Sequence, residues 1–285
     1  MTDDVLKVAL LQLTSGDDPY ANLAETIPLL RKAAAGGADL VLTPEVTNLL
    51  SPDRARQAEM LNPESEDPTL AALRTEARAA GIWLLIGSLA LKGDDPDDRR
   101  FANRSLLIDP EGEITARYDK LHMFDVTISE TERYHESSAY RPGDRAVLTR
   151  AAGQPLGMTI CYDLRFPGLY LRLAQAGARL ITVPSAFSTT TGKAHWEVLL
   201  RARAIETGCF ILAPAQCGTH PALHSPDRQP RQSFGYSLAV DPWGNVLANG
   251  GAAPGVTFVS LDLKAVDRAR SRIPSLTHIR PFEGP

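Results

Sequence analysis

The chain repeats itself, and that limits what it can fold into. Gly37-Ala38-x-Leu40-Val41-x-x-Pro44 recurs as Gly177-Ala178-x-Leu180-Ile181-x-x-Pro184. Ser105-Leu106-x-x-Asp109-Pro110-x-Gly112 recurs, in the same order, as Ser237-Leu238-x-x-Asp241-Pro242-x-Gly244. The first pair is offset by 140 positions and the second by 132. Between the two motifs, each half carries a helix-like segment ending in glycine (Gly81 or Gly208) and then an apolar run. Two similar units must share one architecture.

The apolar runs are short and rich in Val, Ile and Leu: V-A-L-L-Q-L, L-V-L-T, I-W-L-L-I-G, S-L-L-I, G-M-T-I, L-I-T-V, F-I-L-A and S-L-A-V. Runs this continuous fit strands buried on both faces. Longer Ala/Leu/Arg segments predict helices over 21–35, 68–80, 167–176 and 194–207. Pro167 suits a first helical turn, and Gly37, Gly81, Gly177 and Gly208 suit helix stops. The two D-P-x-G elements read as turns between adjacent strands. The simplest α/β architecture has two αβ halves with their sheets face to face and helices outside. With 285 residues, 44% of them hydrophobic, the chain can bury a large core, and it reads as a single domain over 1–285.

Composition removes several function classes. The net charge is −4 and the 30 Lys and Arg residues are scattered. No basic stripe points to nucleic acid and no polybasic tail to a membrane surface. No stretch approaches ~18 apolar residues, and M-T-D-D-V-L-K-V is acidic where a signal peptide is basic. Three cysteines, Cys161, Cys209 and Cys217, suggest a reducing cytoplasm rather than a disulfide framework. Two segments read as loops. Residues 92–100 form a solvated charged turn. Residues 217–233, rich in Pro and His, have a length that goes with function or mobility. Within the second, Cys217-x2-His220-x3-His224 has metal-ligand spacing, but Pro221 interrupts it and a fourth ligand is not evident. No G-x-S-x-G, GxGxxG, P-loop or HExxH is present.

Chemistry concentrates elsewhere. Cys161 sits in G-M-T-I-C-Y-D-L-R-F-P, where a buried strand gives way to a helix. A thiol there gains from the N–H groups and dipole of the following helix, which predicts a lowered thiol pKa. The competing reading is a small buried strand-end residue. His122, His135, His195, His220, His224 and His278 are candidate partners, and none ends a predicted strand. Glu45 does, in L-V-L-T-P-E, and ligands of α/β sheets bind at strand carboxyl ends. Lys120, in R-Y-D-K-L-H-M-F-D, follows the first D-P-x-G turn. Carboxylate, ammonium and thiol can act together: Glu45 as general base, Lys120 on the oxyanion, Cys161 as nucleophile.

The segments L-T-P-E-V, Y-D-K-L-H-M-F-D-V and I-C-Y-D-L-R-F-P resemble the nitrilase superfamily of carbon–nitrogen hydrolases. The resemblance runs from the first strand to the final I-R-P-F. It implies a four-layer αββα sandwich with two pseudo-symmetric halves and a Glu45-Lys120-Cys161 triad. It also implies a second active-site glutamate at Glu136 in R-Y-H-E-S, with Glu130 and Glu132 as neighbouring alternatives. T-G-K-A-H-W-E-V-L-L-R-A-R-A-I-E-T-G-C-F-I-L-A-P-A-Q-C-G and G-Y-S-L-A-V-D-P-W-G-N-V resemble the deaminated-glutathione amidase branch, whose members release 2-oxoglutarate and Cys-Gly. The alternatives are an ω-amidase on 2-oxoglutaramate or an enzyme for another small aliphatic amide. The loop after Cys217 differs from that branch, which leaves the leaving-group side open.

The expectation is thus a cytoplasmic thiol amidase for a small carboxylate-bearing amide, working through a thioester without metal or organic cofactor. The Tyr162 backbone N–H and Lys120 hold the oxyanion. Arg165, four residues beyond the nucleophile, grips the substrate carboxylate, unless it pairs with Asp163 or another structural carboxylate instead. Glu197 and Arg201, like Trp196 and Leu200, read as helix-face and interface residues, and a homodimer or higher homo-oligomer is expected. A non-enzymatic assembly protein on the same fold is the remote alternative, and it predicts an eroded triad.

Overall fold

The structure, a computed structural model, describes residues 4–284 apart from positions 94, 96 and 131. Asp94 and Pro96 of the predicted charged turn, and Met1–Asp3 of the acidic start, lie outside the described residues.

The sequence repeat becomes a topological repeat. In the first half, strands Val5–Gln12, Leu40–Leu42 and Trp83–Lys92 run parallel. Phe101–Ile108 and Ile114–Asp119 extend that sheet antiparallel. In the second half, Gln154–Met158, Leu180–Thr182 and Phe210–Ala213 run parallel, and Leu238–Val240 and Val246–Asn249 continue antiparallel. Parallel neighbours need crossover connections. Helices Pro19–Ala35 and Pro68–Ala80 supply them in one half, Pro167–Gln175 and Thr189–Thr207 in the other.

Side-chain alternation stacks the layers. Leu6, Val8, Leu10, Leu40, Leu42 and Leu85 share one core with Leu156, Met158, Leu180 and Val240 of the second sheet. The intervening Ala9, Leu11, Val41, Leu84 and Ile86 pack on Leu30, Ala33, Leu70, Leu73 and Ala77 of the outer helices. Both faces of these strands are buried, so their sequences read as continuous apolar runs. The result is the αββα sandwich.

The D-P-x-G turns are also the same object twice. The Asp109 carboxylate accepts from the N–H groups of Glu111 and Glu113, and Asp241 accepts from Trp243 and Asn245. The glycine closes each turn at positive φ, 79° at Gly112 and 86° at Gly244.

Three predicted helices match the structure closely. The fourth begins five residues early, at Thr189, because Ser188 caps it by accepting from the Thr191 N–H. The β-branched T-T-T-G stretch conceals that start from propensity arguments. Helices Arg54–Met60 and Lys264–Arg272, edge strand Gly255–Asp262 and hairpin Asp125–Thr127/Arg133–His135 lie outside the predicted elements. Among the described residues no helix is long and apolar enough to cross a membrane.

Candidate active site

Cys161 and Glu45 both sit three residues beyond a parallel strand, on opposing sheets. Each is on a strained turn. Cys161 has φ 47° and Val46, just after Glu45, has φ 48°. Non-glycine residues rarely adopt such values, at a cost of about 1–3 kcal/mol each. The surroundings enforce both. The Val46 N–H donates to Ser88 Oγ at 2.8 Å, and Gln216 Nε2 donates to the Glu45 carbonyl at 3.0 Å. Gly87 lets the halves meet here, since a Cβ on it would lie 2.0 Å from the Thr43 carbonyl oxygen and 2.5 Å from Pro184 Cβ. On the other sheet, the Cys161 N–H donates to the Pro184 carbonyl at 2.9 Å. Fully buried Asp163 accepts from the Ile160 N–H, the Tyr118 hydroxyl and the His122 N–H.

The segment after Cys161 corrects one expectation. A single tight turn, Cys161–Arg165, comes first, and the α-helix starts only at Pro167. The dipole of a full helix therefore does not point at the sulfur.

Lys120, 2% exposed, bridges the carboxylates. Its Nζ donates to Glu45 Oε1 at 2.8 Å and to both Glu136 oxygens at 2.8 and 2.9 Å. Asn103 Nδ2 donates to Glu45 Oε1 at 2.9 Å, and the Ala186 N–H to Glu45 Oε2 at 2.8 Å. Glu136 also accepts from the Phe124 N–H. Of the alternatives to it, Glu132 turns away to the Tyr134 hydroxyl and Thr190.

Charge partners set the protonation states. Burial pushes Glu45 up, but the Lys120 charge and hydrogen bond hold it below the ordinary carboxylate value. Burial alone would lower Lys120; Glu136 and Glu45 instead keep it well above its usual value. Burial, then the Glu45 charge, push the Cys161 thiol up despite Lys120 and the Ala186 N–H. This reverses the lowered thiol pKa expected from sequence. Cys161 and Glu45 are thus electrostatically linked neighbours, the thiol pushed toward its protonated form and the carboxyl toward its ionised one, an arrangement that can serve a nucleophile and its base.

A cavity of about 730 Å³ opens over these groups. Glu45, Asn103, Lys120, Glu136 and Cys161 line its buried end; Tyr134, Tyr162, Phe187 and Arg231 line it further out. Arg165 is not part of the lining. Its guanidinium faces His195 Nδ1 at 3.3 Å and lies over the Phe187 ring at 5.4 Å. Asp163 is held by other groups, so the expected alternative pairing with Arg165 is not formed either. The metal-spaced trio does not converge. His220 uses both ring nitrogens, on the Ser15 carbonyl and Ser233 Oγ, each at 2.8 Å. Cys217 meets Thr14 Oγ1 at 3.4 Å, and His224 lies 3.7 Å from Asp18.

Sequence reasoning missed Asn103, the Ala186 N–H and Arg231. Asn103 was detectable as an amide inside an otherwise apolar strand, F-A-N-R-S-L-L-I. Arg231 lies in the Pro-rich loop, whose Gln229–Gln232 portion lines the cavity.

Comparison with known proteins gives a consistent result. The carbon-nitrogen hydrolase family model matches residues 7–271. A deaminated glutathione amidase of Yersinia enterocolitica is 41% identical over 274 residues, covering 96% of this chain and 92% of that one. The crystal structure of Caenorhabditis elegans NitFhit superposes with a TM-score of 0.87 at 35% identity, over 97% of this chain. The chain spans 65% of that longer protein. An amidase from Nesterenkonia sp. AN1, solved with acrylamide added to its active-site cysteine, gives a TM-score of 0.74 at 27% identity, over 94% of this chain and 98% of that one. The chain belongs to the carbon–nitrogen hydrolase family of the nitrilase superfamily, and it is a hydrolase acting on amides.

Proposed function

We propose that this enzyme is a thiol amidase for a small carboxylate-bearing amide, and that its substrate is deaminated glutathione, cleaved to 2-oxoglutarate and Cys-Gly. The observation that carries the mechanism is buried Glu45, ion-paired with Lys120 and lining the same closed end of the cavity as Cys161. Glu45 removes the thiol proton as sulfur attacks the amide carbonyl carbon. The oxyanion draws on Lys120 and the Tyr162 N–H. Glu45 returns the proton to the departing amine, leaving an acyl thioester on Cys161. Water then gives its proton to Glu45 and its oxygen to the acyl carbon. The acid leaves, and the thiolate regains its proton. Glu136 positions Lys120, and no metal or organic cofactor enters any step.

The substrate reading is supported by the relative's name and the length of its match. We take residues 1–285 as one catalytic domain, cytoplasmic on the strength of three free cysteines, and working as a homodimer or larger homo-oligomer. Turnover of deaminated glutathione and 2-oxoglutaramate, measured side by side in wild type and Cys161→Ala, tests the reading. The expected result is a higher kcat/KM for deaminated glutathione, abolished in the variant. A preference for 2-oxoglutaramate would reassign the enzyme as an ω-amidase.

A further inference from the structure

The cations that line the cavity differ in what they already hold. Lys120 is engaged by two carboxylates. Arg133 is exposed at the rim. Arg231 is partly buried, lines the cavity and forms no ion pair among the described residues. Its Nη2 donates to the Ala186 carbonyl at 2.6 Å, and its guanidinium carbon lies 5.6 Å from the centre of the Tyr134 ring. Its Nε is buried and makes no hydrogen bond. Among the described residues Nη2 is the Arg231 nitrogen that makes a hydrogen bond. A guanidinium carries five N–H donors in a fixed fork, and here one is used. A partly buried guanidinium with open donors beside a cavity is disposed to receive an anion.

The backbone fixes where such an anion would lie. Ala186 holds Arg231 with its carbonyl and Glu45 with its N–H, and Cys161 lines the same cavity. Arg231 is thus one residue away from Glu45. The acyl chain stays on the Cys161 sulfur through both steps of the reaction, while the amine departs.

We propose that Arg231 is the specificity-determining cation of the site, receiving the acyl-side carboxylate of an acidic amide. The assignment rests on the amidase reading above. It gives the loop 217–233 a recognition role, and it moves the carboxylate clamp from Arg165 to Arg231. Guanidinium and carboxylate match as a bidentate pair, and losing such a pair reduces discrimination by about 10- to 100-fold.

The test compares wild type, Arg231→Met, Arg231→Lys and Arg165→Met on three amides. Glutaramate and butyramide both release ammonia, so they differ on the acyl side. N-butyrylglycine places the carboxylate on the leaving group. Each ratio of kcat/KM is taken within one variant, so loss of folded protein cancels. Arg231→Met should lower the glutaramate-to-butyramide ratio about 10- to 100-fold, mainly through KM. Inhibition by glutarate should weaken by a similar factor. Arg231→Lys should recover part of the ratio, because a point charge replaces the fork. Wild type preferring glutaramate, with Arg231→Met keeping that preference, overturns the assignment and leaves the amidase reading intact. Wild type with no preference overturns both the assignment and the acidic-substrate reading. A loss seen only for N-butyrylglycine, or only in Arg165→Met, also overturns the assignment.

Discussion

Lys120→Gln should both slow the enzyme and move its acid limit. Nζ lies 2.8 Å from Glu45 Oε1 and 2.8 Å from Glu136 Oε1, at a site almost closed to solvent. Without the ammonium, two carboxylates face each other, and Asn103 Nδ2 remains between them at 2.9 and 3.4 Å. Removing one partner of a buried pair costs about 3–5 kcal/mol. At about 1.36 kcal/mol per pK unit, that corresponds to about 2–4 pH units. The sign follows from the base role proposed for Glu45, which requires it to be ionised. Lys120 now holds it below the ordinary carboxylate value, so the wild-type acid limb lies low. Losing Lys120 raises Glu45, and the limb of kcat/KM moves up by about 2–4 units. The plateau should also fall about 10²- to 10³-fold, since the charge proposed to stabilise the oxyanion is gone. Glutamine keeps a donor and most of the volume, and a melting curve confirms a folded variant. The assay is a pH–rate profile on one amide for both proteins. A variant with an unmoved acid limb and near-normal plateau would refute the electrostatic argument.

Other substitutions read different parts of the site. Asn103→Ala removes a donor shared by both carboxylates; kcat should drop about tenfold with KM nearly unchanged, and a KM effect alone would contradict this. Burial and the Arg231 charge lower His220 to about 4. It therefore stays neutral in the fold while the unfolded chain takes up a proton, and stability should fall by about 3 kcal/mol as pH drops from about 6.5 to about 4. Denaturant melts of wild type and His220→Gln across that window should differ in slope, and parallel curves would contradict the claim. Tyr118→Phe removes a 2.6 Å bond to fully buried Asp163, at a cost of about 1–3 kcal/mol; an unchanged melting temperature would show that the turn under Cys161 does not need it.

What could be read from the chain, and what could not, divides along physical lines. Strands buried on both faces leave unbroken apolar runs, so the parallel cores and the ends where Glu45 and Cys161 sit were legible. The D-P-x-G turns were legible because an aspartate and a glycine each do a fixed backbone job there. Backbone dihedrals leave no such mark. Nothing in I-C-Y-D-L-R announces that Cys161 takes φ 47° or that a tight turn precedes the helix. The thiol pKa is raised first by burial and then by a carboxylate more than a hundred positions away in sequence, neither of which the local motif reveals. Arg165 was chosen for its nearness in sequence to Cys161, yet its side chain leaves the elbow toward His195 and Phe187. Arg231 escaped notice in a loop without periodicity, carried to the cavity by a short pairing of Cys217–Thr219 with Gln232–Phe234.

The central claim is that Cys161 becomes acylated in every turnover. Intact-protein mass spectrometry of enzyme quenched in acid while hydrolysing deaminated glutathione, followed by peptide mapping, tests it most directly. The account predicts a mass increase equal to the acyl group, carried by the peptide containing Cys161 and absent from Cys161→Ala. An adduct on Cys209 or Cys217, or sustained hydrolysis by Cys161→Ala, would contradict it.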